Sequence, residues 1–284
     1  MNRQLDCAAH CPPPRFVPAA PTGPSIGIFD SGVGGLSILT AIRRQLPAAP
    51  LRYVADSGHA PYGERSDTEI RDRASRISDH LLAAGAKVIV IACNTATAVA
   101  IDSLRAEHPG IAFVGVEPGV RPAVAATRTG HVGVLATEAT LRSERFASLA
   151  ARESAGCHLH LQACTGLAAA IEHGQFDDPA LHGLLERYAG ALRRLDVDVV
   201  TLGCTHYSFV RGGIERVLGA GVSVLDTGEA VAAQVARVWR HGGERGQELP
   251  CLLETTGDAE QLLRFARTWL EGMALQIAAQ RLTV

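Results

Sequence analysis

Two cysteines follow apolar segments of the sequence and stand where a reactive group could act. Cys93 follows Val88–Ala92, Cys204 follows Val199–Gly203, and small polar residues come directly after each thiol. A thiol at the start of a helix has a pKa lowered from ~8.5 toward neutrality, so we expect both to exchange protons near pH 7. Inversion of a carbon stereocentre needs two such opposed groups, because one removes a proton from one face and the other returns a proton to the opposite face. A cysteine is otherwise most often a small buried hydrophobic residue.

A glycine-rich run follows the first apolar segment and could hold an anion. Asp30–Gly35 contains G-x-G, but Ser37 occupies the third glycine position of the dinucleotide fingerprint, although Asp56 lies near where a ribose-binding acid would stand. The backbone N–H groups of such a loop and the Ser31 hydroxyl suit a small anion such as a carboxylate better. His59, Tyr62 and Gly63 lie in a later loop, where either substrate contact or turn formation is plausible.

Composition removes several classes of chemistry. Lys87 is the single lysine among 27 basic residues and opens an apolar segment, which is an awkward place for a pyridoxal-phosphate anchor. Cys157–Cys164 contains two histidines but alternates polar and apolar residues, which favours a half-buried strand over a metal cluster. We therefore expect no cofactor and no metal.

The charge and the cysteines indicate where the protein works. A net charge of −2 argues against nucleic-acid binding and against attachment to anionic membranes. The longest apolar runs are far shorter than the ~18–20 residues of a membrane span. The chain has an odd number of cysteines, seven, at irregular spacing, which does not describe a disulfide framework and indicates the reducing cytoplasm.

Strand-like and helix-like segments alternate along the chain, which predicts mostly parallel sheets with helices on both faces. Ser66 and Glu69 have the spacing of a helix capping box. The expected strands are Ile26–Asp30, Leu51–Ala55, Lys87–Ala92, Val132–Leu135 and Asp198–Leu202, and the expected helices include Leu36–Leu46, Ala96–Leu104 and Leu141–Ala150.

The same order of elements occurs twice. Cys93 and Cys204 are 111 residues apart, and the strands that open the two halves, at Ile26 and Val132, are 106 apart. The similar spacings indicate an internal duplication, hence an α/β fold of two pseudo-symmetric domains with the active site in the cleft between them, at the carboxyl ends of the strands. Met1–Pro24 holds 6 of the 14 prolines and is expected to be a disordered extension.

Five runs of residues, in this order, resemble those of bacterial glutamate racemases. They are Ile28–Leu36, Ala60–Gly63, Ala92–Ala96, Val116–Gly119 and Leu202–Tyr207. The resemblance implies that the C-terminal segment completes the first domain. We expect an extension at 1–24, a first domain at 25–117 plus 227–284, and a second domain at 118–226.

The resemblance also implies a function and a set of site residues. It implies a cofactor-independent homodimer that interconverts L- and D-glutamate and so supplies D-glutamate for peptidoglycan. Cys93 and Cys204 would be the acid/base groups, assisted by Asp30, Glu172 and His206. The expected substrate contacts are Asp30, Ser31, Tyr62, Gly63, Asn94, Thr95, Thr205 and His206.

The departures from the family pattern lie beside matched residues without replacing any, and they concern local loop geometry and not the chemistry. Thr165 and Ser208 stand where the family has proline, and the loop Asp56–His59 differs from its commoner form.

Three other classes of protein stay open. An aspartate racemase would share both thiols. A hydrolase or isomerase with one nucleophilic cysteine would use His206 as its base and leave the other cysteine idle. A non-catalytic regulator is the third class, since some family members are reported to bind DNA gyrase.

Overall fold

The computed structural model describes residues 23–240, 251–270 and 278–284, which form two parallel sheets flanked by helices. The strands are β1 Ser25–Asp30, β2 Leu51–Ala55, β3 Ala86–Ile91, β4 Ala112–Gly115, β5 His131–Ala136, β6 His158–Ala163, β7 Val199–Gly203, β8 Ser223–Leu225, β9 Cys251–Thr255 and β10 Ala278–Arg281. The helices are α1 Leu36–Gln45, α2 Asp67–Ala83, α3 Asn94–Glu107, α4 Val120–Ala126, α5 Glu138–Arg142, α6 Glu144–Glu153, α7 Leu167–Glu172, α8 Pro179–Arg193, α9 Arg211–Leu218, α10 Gly228–Val238 and α11 Ala259–Trp269, with short 3-10 turns at Ser57–His59, Tyr62–Glu64 and Thr205–Val210.

The first sheet has the strand order β10-β9-β2-β1-β3-β4. Every pair in it is parallel, and Ile26 of β1 lies opposite Leu51 of β2 on one side and Val88 of β3 on the other. The central strands β1, β2 and β3 are mostly apolar and are buried except at Lys87, because helices cover both of their faces. Strand β9 pairs with β2 and the last strand, β10, pairs with β9, so the C-terminal part of the chain returns to the first sheet.

The second sheet has the order β6-β5-β7-β8, again with parallel pairs only. Its opening strand β5 lies beside β7, as β1 lies beside β3 in the first sheet. Cys93 and Cys204 therefore come at the carboxyl ends of corresponding strands. The expected fold class of two parallel α/β regions is confirmed. The domain boundaries stay a prediction, and the strands of each sheet fall within them.

Two local expectations had different outcomes. Ser66 caps α2 by accepting a hydrogen bond from the Glu69 N–H at 3.2 Å, as the capping box predicts. The single helix expected at Leu141–Ala150 is wrong, because α5 ends and α6 begins at Ser143. The Ser143 backbone is extended, and its hydroxyl accepts the Phe146 N–H at 3.1 Å, so the side chain starts a new helix instead of continuing the old one.

The histidine-containing segment is the half-buried strand β6, as expected. Both of its histidines stack on His131 of the neighbouring strand, at ring-centroid distances of 5.2 Å. Among the helices of the described ranges, none has the length and apolar character needed to cross a bilayer. The extension expected at 1–24 lies outside the described residues except for Gly23 and Pro24.

Candidate active site

Asp30 ends β1 and lies at the centre of a buried polar cluster. Its Oδ1 accepts hydrogen bonds from the Gly32 N–H at 2.8 Å and the Ser31 hydroxyl at 3.1 Å, and its Oδ2 accepts one from the Thr205 hydroxyl at 2.9 Å. Burial raises the pKa of Asp30 to about 6, against the smaller lowering effect of nearby His206. The carboxyl thus joins the loop after β1 to the segment after β7.

Cys93 lies beside this cluster as the capping residue of α3. Its thiol donates to the Ser31 hydroxyl at 3.8 Å and accepts the Ala96 N–H at 3.4 Å. Burial, followed by the charge of Asp30, raises the pKa of Cys93 to about 12. The expectation of a lowered pKa for Cys93 is therefore wrong, because one N–H of the helix start offsets less than the loss of solvent costs.

Cys204 follows β7 and contacts an imidazole–carboxylate pair. Its Sγ lies 3.8 Å from Nδ1 of His206, and Nε2 of His206 lies 2.8 Å from Oε2 of Glu172. Burial by itself would lower the pKa of His206, but Cys204 and Glu172 together raise it well above its usual value. The pair therefore favours a proton on the imidazole.

Glu172, at the end of α7, reaches across to the other sheet. Its Oε2 accepts the Val33 N–H at 2.8 Å and its Oε1 accepts the Ser57 hydroxyl at 2.7 Å. Burial alone would raise the pKa of Glu172, but the hydrogen bond and charge of His206 hold it below its usual value. A Cβ on Gly32 would lie 2.1 Å from Oε2, so only glycine lets the carboxylate approach this loop. Sequence reasoning missed Ser57, since nothing in its loop signals the contact.

Asn94 and Thr95 begin α3 and bring different groups to the site. Among the described residues, neither Oδ1 nor Nδ2 of the buried Asn94 side chain has a hydrogen-bond partner. The Thr95 hydroxyl lies 3.0 Å from that of Thr137 and 3.3 Å from that of Thr140. Sequence reasoning also missed these two threonines. Their signal was the position of Thr137, directly after β5 and at the cap of α5.

Tyr62 and Gly63 lie in the turn after β2, and Gly63 lies against Thr137, which also contacts Thr95. The buried Tyr62 hydroxyl donates to Oδ2 of Asp56 at 2.6 Å, and burial raises the pKa of Tyr62 far above its usual value. A Cβ on Gly63 would lie 3.1 Å from Cβ of Thr137, so the turn closes onto the second sheet region. The partial ribose-binding pattern at Asp56 is not fulfilled, because Arg73 takes both oxygens of its carboxylate.

The expected site residues therefore fall into three contacting sets. One set joins Cys93, Ser31, Asp30 and Thr205, and the second joins Cys204, His206 and Glu172. In the third, the missed Thr137 contacts Thr95 and lies against the Tyr62–Gly63 turn, and Asn94 precedes Thr95 in the chain. Within the described part of the chain, no group of three or more metal-ligating side chains has the arrangement of a metal site.

Comparison with known proteins identifies the class that this fold and site define. The model of the Asp/Glu/hydantoin racemase family matches residues 26–235, which is most of the chain, and the chain belongs to that family. Within the family, a glutamate racemase of Pseudomonas aeruginosa is 50% identical over 214 residues, which are 75% of this chain and 81% of that protein.

Solved structures agree with this assignment. Glutamate racemase isoform RacE1 from Bacillus anthracis superposes with a TM-score of 0.80 at 31% identity, covering 92% of this chain and 97% of that one. Escherichia coli glutamate racemase, solved with L-glutamate and the activator UDP-MurNAc-ala, has a TM-score of 0.79 at 28% identity and covers 93% and 100%. The resemblance to glutamate racemases is confirmed.

Proposed function

We propose that the protein interconverts L- and D-glutamate by proton transfer between two thiols, and that the D-glutamate supplies peptidoglycan synthesis. The observation that carries the proposal is a continuous contact path from Cys93 through Ser31 and Asp30 to Thr205, the residue after Cys204. The two thiols follow corresponding strands of two sheets, so a substrate between them would present one face of its α-carbon to each.

On one side, His206 and Glu172 prepare Cys204 to act as a base. The imidazole takes the thiol proton at Nδ1, and the Glu172 carboxylate stabilises the resulting imidazolium at Nε2. The Cys204 thiolate then removes the α-proton of L-glutamate. The electron pair left on the α-carbon is delocalised into the adjacent carboxyl group, and the Cys93 thiol donates its proton to the opposite face.

On the other side, Ser31 and Asp30 take the corresponding role for D-glutamate. The Cys93 thiol proton passes to the Ser31 oxygen while the Ser31 proton passes to Asp30, along the hydrogen bonds that the structure contains. With its pKa near 6, Asp30 is ionised at neutral pH and able to receive that proton. The raised pKa of Cys93 makes its thiol the proton donor in the L-to-D direction.

The remaining expected residues suit the polar groups of an amino dicarboxylate. The unpartnered amide of Asn94 offers both a donor and an acceptor in a buried position. The Thr95 hydroxyl and the backbone of the Tyr62–Gly63 turn are further polar groups for the substrate, whereas the hydroxyls of Thr205 and Tyr62 already donate to Asp30 and Asp56. Because the thiols move the proton and the carboxyl group accepts the electron pair, the mechanism needs neither pyridoxal phosphate nor a metal. Chelators and carbonyl-trapping reagents should leave the rate unchanged.

Cys93→Ala and Cys204→Ala test the proposal, with Cys164→Ala as a matched control at another buried thiol. Circular dichroism of L- and D-glutamate in deuterated water follows racemisation, and NMR follows deuterium at the α-carbon. Both site variants should lose racemisation in both directions, whereas Cys164→Ala should keep it. Racemisation at near wild-type rate in either folded site variant would refute the two-thiol mechanism.

The same variants separate the alternative of a one-cysteine hydrolase. Its basis is the contact series Cys204–His206–Glu172, which has the order of a nucleophile, a base and an orienting carboxylate. For such an enzyme, Cys204→Ala would be inactive and Cys93→Ala close to normal. Assays of the wild type with L-aspartate distinguish a glutamate racemase from an aspartate racemase. We expect the protein to turn over L-aspartate far more slowly than glutamate.

We further propose that the protein works in the cytoplasm as a homodimer. The family resemblance supports the dimer, and the irregular, odd set of cysteines supports a reducing compartment. Light scattering coupled to size-exclusion chromatography should give twice the chain mass of 29.9 kDa. A mass of one chain at the concentration of the activity assay would refute the dimer.

A further inference from the structure

Asp56 is a buried carboxylate that the proposed mechanism does not use, although it lies next to the site. It follows β2, is fully inaccessible to solvent, and donates its backbone N–H to the Asp30 carbonyl at 2.9 Å. Its side chain accepts the Tyr62 hydroxyl at 2.6 Å and the Thr256 hydroxyl at 2.7 Å. His59 Nδ1 lies 3.1 Å from its Oδ1. One carboxylate therefore ties the turn after β2 to the loop after β9.

Arg73 of α2 fixes the direction of this carboxylate. Its Nε and Nη2 contact the two oxygens of Asp56 at 3.0 and 2.8 Å, in the forked geometry that only arginine provides. Its Nη1 donates to the backbone carbonyl of Val284 at 2.7 Å. Arg73 is itself buried, so the ion pair keeps one geometry with little competition from water.

The fixed carboxylate is connected to the site through Tyr62. The tyrosine ring packs in the same apolar cluster as Cys93, and the next residue, Gly63, lies against Thr137 of the second sheet region. Loss of the hydrogen bond from Tyr62 would remove the contact that joins this turn to the Asp56 carboxylate. The turn would then be free to move relative to both Cys93 and Thr137.

We propose that Asp56, held by Arg73, is a positioning residue that sets the place of the Tyr62–Gly63 turn and thereby the affinity for glutamate. The inference rests on the proposed function. Asp56 contacts neither thiol directly, so its effect falls on substrate binding more than on proton transfer. A role in stability alone would leave the Michaelis constant unchanged.

Steady-state kinetics of Asp56→Asn in both directions test this proposal. We expect KM to rise about tenfold, with kcat within about threefold of the wild type, because a displaced binding group costs affinity before it costs chemistry. Glu254→Gln is the matched control. Glu254 is an equally buried carboxylate of the same sheet, 3.2 Å from Nη1 of Arg52, and should lower the melting temperature without changing KM.

A double-mutant cycle shows whether Asp56 acts through Tyr62. Tyr62→Phe should raise KM, and adding Asp56→Asn should change it by less than about twofold, since the shared hydrogen bond is already lost. Arg73→Lys keeps the charge but loses the fork, and should raise KM at least threefold even if Asp56→Asn does not fold. The inference about Asp56 would be overturned by an unchanged KM in the folded Asp56→Asn and Arg73→Lys variants, or by additive effects in the cycle. Either result would leave the proposed function standing. An inactive wild type would overturn the proposed function, and the inference with it.

Discussion

Replacement of Asp30 by asparagine should make the protein more stable and less active. Burial raises the pKa of Asp30 from 3.8 to about 6, so at neutral pH the folded protein holds a carboxylate in a place that favours the neutral acid. At 1.36 kcal/mol per pKa unit, this difference costs the folded state ~3 kcal/mol at pH 8. Asparagine keeps Oδ1 as the acceptor for Ser31 and Gly32 and carries no charge, and its Nδ2 donates to the Thr205 hydroxyl in place of the hydrogen bond that Oδ2 accepts.

The free energy of unfolding should depend on pH in the direction expected for a carboxyl group whose pKa is raised by folding. Below pH 3.8 the carboxyl is protonated in both states and costs nothing. Between pH 3.8 and 6 the unfolded chain has released its proton while the folded protein still binds it, so the free energy of unfolding falls as the pH rises. Above pH 6 the penalty is complete. The stability difference between Asp30→Asn and wild type should therefore grow from near zero at pH 4 to ~3 kcal/mol at pH 8.

Urea unfolding at half-unit steps from pH 4 to pH 8 measures this difference, and racemisation is assayed on the same samples. Activity should fall about hundredfold, because the variant cannot receive the Cys93 proton. Asp198→Asn is the control, because its expected change in stability has the opposite sign. Hydrogen bonds from the Thr127 hydroxyl and the Arg128 N–H lower the pKa of Asp198 to about 2 against the effect of burial, so this variant should be destabilised. A difference between Asp30→Asn and wild type that stays constant from pH 4 to pH 8 would refute the reasoning.

Three further predictions concern single side chains. Ser57→Ala removes a hydrogen bond that lowers the pKa of Glu172, so the acid limb of the pH–rate profile should move to higher pH; an unmoved limb would contradict the contact. Gly32→Ala places a Cβ 2.1 Å from Oε2 of Glu172, and kcat/KM should fall more than tenfold in steady-state assays, while wild-type kinetics would show that this approach is unnecessary. Cys251→Ala should cost about 1–3 kcal/mol in urea unfolding yet keep kcat/KM within twofold, since this fully buried thiol lies in the core, and a large kinetic loss would count against that separation.

The sequence alone determined the elements and the residue types of the site. Short apolar runs rich in β-branched residues, such as Val88–Ala92, predicted strands covered on both faces, and two such runs followed by cysteine predicted a pair of thiols at the carboxyl ends of parallel strands. The helix cap that the sequence predicted at Ser66 is also confirmed. The helix break at Ser143 was missed, because a serine that can continue a helix can also start one, and none of the elements after Thr227 was predicted from the sequence.

Only the tertiary structure decided how the site residues hold their protons and which side chains support them. The pKa of Cys93 rises instead of falling because the depth of burial outweighs the helix start, and depth is a property of the whole fold. The supporting contacts join residues far apart in the chain: Val33 meets Glu172 across 139 positions, and Asp56 meets Thr256 across 200. Ser57 and Asp56 carry no local pattern that marks such contacts, since a hydrogen bond depends on distance and direction in space and the sequence records neither.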